Sequence, residues 1–104
     1  MSFTGTEDHS ISLEDASDLT ANYRSNHSIF AIKGFYFSKE AIQDILDQTD
    51  CVGIRIYFGE DGSSNPKLVI SGVKTNEDDL YNGLLAEYGI PCPTNCGGSN
   101  PLNS

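Results

Sequence analysis

Apolar and polar positions along the chain follow two rhythms in turn, one helical and one alternating. Leu13, Ala16, Leu19, Thr20 and Tyr23 recur at helical spacing. Ser12 stands before them as an N-cap, with Glu14 and Asp15 in the first turn, where the helix dipole favours acids. The pattern predicts a helix from about Ser12 to Arg24, with Ile11 placed to staple onto Ala16. Ile29 to Phe37 is rich in β-branched and aromatic residues and predicts a strand. Its alternation shifts at Gly34, which fits a bulge or a strand beginning only near that glycine. Ser38 is a second N-cap, and Ala41, Ile42, Ile45 and Leu46 form one stripe, so a second helix is expected from about Ser38 to Gln48.

Val52, Ile54, Ile56 and Phe58 alternate with Gly53, Arg55 and Tyr57, the clearest strand in the chain. Residues 59–66 are rich in Gly, Asp, Ser, Asn and Pro and predict a turn. Lys67 to Val73 returns as a second strand. Setting Phe58 opposite Leu68 puts Ile56 opposite Ile70, Ile54 opposite Gly72 and Arg55 opposite Ser71. A slip of one residue would mix the faces, so this register is expected. On this reading Val52, Ile54, Ile56 and Phe58 are the core stripe, and Cys51, Gly53, Arg55 and Tyr57 point the other way. Residues 80–88 fit either a short helix or an added strand. From Gly89 onward, three prolines and Gly97-Gly98 predict an irregular tail.

The expected architecture is α+β: a small antiparallel sheet of about three strands, or four with residues 80–88, two helices on one face, and an irregular C-terminal tail. Residues 1–10 read as a flexible leader and 11–104 as a single domain that includes the tail.

Charge then narrows the partners. Six basic side chains against 15 acidic ones give a net charge of −9. Nucleic acid and anionic membrane surfaces are disfavoured as partners; an acidic surface suits solubility, a basic protein partner or bound cations, and solubility alone is the simplest reading. The start lacks the basic and apolar run of a secretory signal, so a cytoplasmic location is expected and Asn26-His27-Ser28 is a glycosylation sequon in form only. Three cysteines, an odd number, suggest free thiols in a reducing compartment.

Three places offer chemistry. Cys51, Cys92 and Cys96 are candidate metal ligands, with zinc the metal they would suit. The chain supplies three soft ligands, and neither His9 nor His27 is linked to them by a known spacing. A Cys92–Cys96 disulfide is sterically open but is not legible in the spacing. A redox role lacks any nearby Lys, Arg or His to lower a thiol pKa, and the simplest role for these cysteines is to fill space. Arg55 and Tyr57 are candidate ligand-binding residues, since a mid-strand guanidinium can clamp a carboxylate or phosphate. The competing role for Arg55 is pairing with one of the protein's own carboxylates, from the acidic stretch near Asp78. Residues 60–65 and 76–79 are oxygen-rich but do not have the spacing of a calcium loop. No hydrolase triad motif or phosphate-binding loop occurs, and no cofactor is expected.

Lys33-Gly34-Phe35-Tyr36-Phe37-Ser38-Lys39-Glu40, Cys51-Val52-Gly53-Ile54-Arg55-Ile56-Tyr57-Phe58-Gly59 and Pro91-Cys92-Pro93-Thr94-Asn95-Cys96 resemble parts of small uncharacterised proteins of Bacteroidetes-type bacteria. The resemblance covers about residues 11–102. It implies a bacterial cytoplasmic source and a compact domain that includes the cysteine tail. It brings no activity and no functional residues.

The leading expectation is a small acidic binding or interaction module without enzymatic activity, for instance an inhibitor of a basic protein. The alternatives are a metal- or thiol-dependent protein using Cys51, Cys92 and Cys96, and a small-molecule enzyme or sensor with an anion site at Arg55. A homodimer that pairs or covers free strand edges is the further partner expectation.

Overall fold

The structure is a computed structural model and describes residues 2–104. The chain divides into two compact units. One joins the segment ending at Glu7 to Phe37–Gly89, and the other joins Asp8–Tyr36 to Ile90–Ser104.

The first unit holds helix α2 (Lys39–Leu46) and strands β2 (Gly53–Glu60), β3 (Pro66–Val73) and β4 (Leu85–Ala86). The three strands form an antiparallel sheet in the order β2-β3-β4. The hairpin register is the expected one: Phe58 faces Leu68, Ile56 faces Ile70, Ile54 faces Gly72 and Arg55 faces Ser71. Residues 80–88 resolve in favour of a strand, with Leu85 opposite Ser71 and Ala86 opposite Ile70. Ser38 caps α2 by accepting from the Ala41 N–H at 3.1 Å, as its place before the apolar stripe requires.

The core of this unit sits on β3 rather than β2. Ile70 and Val73 are buried, together with Ile45 from α2. β3 is the middle strand, flanked by β2 on one side and by β4 and the Val73–Asp79 bridge on the other. Gly72 is closely surrounded there: a Cβ would lie 2.9 Å from the Cys51 sulfur and 3.0 Å from the Gln48 amide nitrogen, so those side-chain ends would have to move to admit one. The expected core stripe on β2 is corrected: Ile54, Ile56 and Phe58 are 37%, 49% and 93% exposed. The reason is reach. An eight-residue helix spans about 12 Å, and an eight-residue strand about 26 Å. α2 therefore covers only part of the sheet face.

Residues from the expected leader join this unit. The Phe3 N–H donates to the Thr75 carbonyl at 2.8 Å. Gly5 adopts φ +84° and lies so close to Val52 that a Cβ would sit 2.9 Å from its carbonyl oxygen. The Glu7 carboxylate accepts from the N–H groups of Thr4 and Gly5, and the Thr4 bond leads in holding its pKa down to about 2.

The second unit holds helix α1 (Leu13–Ser25) and a two-stranded antiparallel sheet of β1 (Gly34–Tyr36) and β5 (Ile90–Cys92). Ser12 caps α1 by accepting from the Asp15 N–H at 3.0 Å. The strand begins only at Gly34, because Ser28 turns the chain before it. The Ser28 carbonyl accepts from Ala31 N–H and its hydroxyl from Phe30 N–H. Two expectations are corrected. The Gly34 strand does not join the hairpin but pairs with the tail, and the tail is not wholly irregular. The Lys33 N–H donates to the Cys92 carbonyl, and Pro91 is tolerated because each strand of a two-stranded sheet keeps one free edge. None of the residues of α1 is buried. Among the described residues no helix is long and apolar enough to cross a membrane.

Candidate functional site

Arg55 and Tyr57 do come together, on one face of the β2–β3 hairpin, because residues two apart on a strand share a face. Both meet Asp79. Arg55 Nη1 donates to Asp79 Oδ1 at 2.7 Å and to the Glu77 carbonyl at 3.1 Å. The Tyr57 hydroxyl donates to Asp79 Oδ2. The buried Ser71 hydroxyl donates to Asp79 Oδ1 at 3.2 Å. The Phe3 ring lies 5.8 Å from the guanidinium carbon.

The backbone explains the cluster. Asp79 bridges to Val73 on the far side of β3, which brings its carboxylate to the face carrying Ser71 and Arg55. The carboxylate thus occupies the position an anionic ligand of Arg55 would take. Electrostatics agree. The Tyr57 hydroxyl, and then the Arg55 guanidinium, hold the Asp79 carboxyl below the usual range. The same carboxylate pushes the Tyr57 phenol and the Arg55 guanidinium up. The cluster is a charge-assisted knot that ties the 77–79 loop to the hairpin.

The cysteines separate. Cys92 and Cys96 are joined in a disulfide, which corrects the free-thiol reading for these two. Cys51 is free and donates to the Gly53 carbonyl at 3.2 Å. Three converging thiolates are therefore not formed, and among the described residues no group of three or more Cys, His, Asp or Glu is arranged to hold a metal ion. The alternative built on Cys51, Cys92 and Cys96 as zinc ligands loses its ligand set, because a disulfide sulfur is no longer a thiolate.

Two features were not among the sequence candidates as sites. One is the row Ile54, Ile56 and Phe58, apolar side chains in alternate positions on an outer strand and open to solvent. The other is a cleft of about 250 Å³ in the second unit, lined by Tyr23, Arg24, His27, Ile29 and Lys33 among others. The row was legible as an apolar stripe but not as an uncovered one. The cleft left a fainter signal, a stretch of chain without acids around Arg24 and Lys33.

Comparison with known protein families, curated proteins and solved structures finds no match.

Proposed function

We propose that this protein is a small acidic binding module that docks a protein partner carrying basic residues around an apolar patch. The observation behind this reading is the exposed row Ile54, Ile56 and Phe58 on β2. A well-paired eight-residue hairpin presents it, so little order remains to be gained on binding. Desolvating such a row supplies affinity. The unit around it has eleven acidic against four basic side chains, a formal charge of −7, which favours encounter with a basic surface and disfavours nucleic acid or an anionic membrane.

The bacterial, cytoplasmic setting implied by the resemblance belongs to the same proposal. The Cys92–Cys96 disulfide weighs the other way, since disulfides are rare in a reducing cytosol. Counting thiols in protein taken directly from cells decides between them.

The test of function is capture of partners by the full chain at low and moderate salt, alongside Ile56→Asp. The proposal expects a partner with a basic surface, held more weakly at moderate salt and lost with Ile56→Asp. Capture that ignores both salt and the substitution contradicts it. A concentration-dependent doubling of mass that Ile56→Asp abolishes would give the row to a second copy of this chain instead.

A further inference from the structure

Strand β2 leaves one side of its sheet open. The strand order is β2-β3-β4, so β2 has a neighbour on one side alone. The hairpin shows which main-chain groups face the open side. The Asp61 N–H donates to the Asn65 carbonyl at 3.1 Å, one step beyond the Glu60–Pro66 pair. Bonded and non-bonded positions alternate along an antiparallel pair. Gly59, Tyr57 and Arg55 therefore bond to β3, and Glu60, Phe58, Ile56 and Ile54 turn their N–H and C=O groups outward. Pro66 opposite Glu60 agrees, because it has no N–H to give. Among the described residues no main-chain bond joins Ile54, Ile56 or Phe58 to a segment outside the sheet.

The outward backbone groups thus belong to the same residues as the exposed apolar row. Side chains and main chain offer one surface with a two-residue period. Sheet edges are ordinarily blunted by short length, lysine or proline. Strand β4 has two residues and β5 carries Pro91. Strand β2 has eight residues with no lysine and no proline, and its one cation, Arg55, is held by Asp79. The row ends on the exposed Glu60, which shares its face.

We propose that the β2 edge takes its partner by strand addition. The occupant is an extended segment with apolar residues at alternate positions and a lysine or arginine opposite Glu60. This rests on the docking role proposed above and names its mode. Running antiparallel, the better-bonded arrangement, the segment sets its apolar residues opposite Phe58, Ile56 and Ile54 and exchanges main-chain bonds with them. A second copy of the chain suits the edge less well. Two β2 strands could pair about Ile56, but that brings together two units of formal charge −7. A basic segment lowers that charge instead.

The probe is a capped peptide that opens with lysine and then alternates threonine and valine through three valines. It is titrated into the full chain, and amide shifts and amide hydrogen exchange are read by NMR. In the free protein the amides of Ile54, Ile56 and Phe58 should exchange fast and those of Arg55 and Tyr57 slowly. The peptide should give saturable shifts and slow the first set. Methylating the nitrogen of the central valine, which faces Ile56, should weaken binding on the order of tenfold, the scale of a lost hydrogen bond with a methyl group in the seam. Methylating the threonine before it, whose N–H points away from β2, should leave binding intact. Replacing the lysine with glutamate should weaken binding at low salt and less at high salt.

Equal binding of the two methylated peptides, with the Ile54, Ile56 and Phe58 amides still fast, would overturn strand addition while leaving docking through side chains standing. Equal binding of the lysine and glutamate peptides would overturn the basic partner in both readings. Slow exchange of those three amides in the free monomer, or no saturable shift, would overturn the open edge. A doubling of mass without peptide that protects the same three amides would assign the edge to a second copy and overturn the proposal.

Discussion

The two units of this small protein are held together by different means. The unit around β2 and β3 has an apolar centre, with Ile45, Ile70 and Val73 buried, and a charge-assisted knot at Asp79. The unit around α1 and β5 has no fully buried residue. It relies on the Cys92–Cys96 disulfide, a short sheet and the cations that hold the Leu102 and Asn103 carbonyls. Their surfaces differ as well. The first carries a formal charge of −7 and an open apolar row. The second carries −2, with its cations gathered at one cleft. A small chain that cannot bury enough apolar surface in both places uses a covalent link where the core is thin.

The largest expected effect breaks the comparison at the core. Ile70→Ala should destabilise the first unit by about 3 kcal/mol through lost burial and the cavity left behind. Denaturant unfolding followed by hydrogen exchange at β2–β3 amides measures it. An effect under about 1 kcal/mol would deny that unit its core.

Next comes the covalent link. Cys92→Ser with Cys96→Ser closes no loop in the unfolded chain and should cost the second unit about 2 kcal/mol. Exchange should accelerate at Lys33 and Tyr36 while β2–β3 amides keep their protection. Uniform acceleration in both units would show that their stabilities are not separate.

The smallest effect concerns the knot. Asp79→Ala removes the acceptor of Arg55, Tyr57 and Ser71, and partial exposure limits the loss to about 1–2 kcal/mol. Its pH dependence has a definite sign. The Asp79 pKa is lower folded than unfolded, so its contribution is complete above the unfolded value, near pH 4 by the ordinary reference for aspartate, and is lost as pH falls through the folded value. Asp79→Asn should flatten that acid limb. An unchanged acid limb would show that Asp79 does not carry it.

The contrast also explains what could be read from residues alone. The hairpin register was legible because a one-residue slip would have set Ile54 opposite Ser71 and Phe58 opposite Lys67. Ser12 and Ser38 were legible as caps because capping is local chemistry. The pairing of Arg55 with an internal carboxylate was open to argument, but Asp79 rather than Asp78 followed only from the bridge to Val73. Alternation shows which side chains share a face. It does not show whether anything long enough arrives to cover them, and so the row on β2 passed for core. The disulfide and the β1–β5 pairing depend on segments more than fifty residues apart or on loop geometry, and neither leaves a periodic trace.

The proposed docking role ties function to one unit and not the other, and each unit carries an exposed phenylalanine that separates them. Phe58 is 93% exposed on β2, and Phe30 is 84% exposed before β1. The decisive measurement is salt-graded partner capture by the full chain, by Phe58→Asp and by Phe30→Asp. The account predicts that Phe58→Asp loses the basic partner while Phe30→Asp retains it. Retention by Phe58→Asp with loss by Phe30→Asp would contradict it and move the docking surface to the second unit.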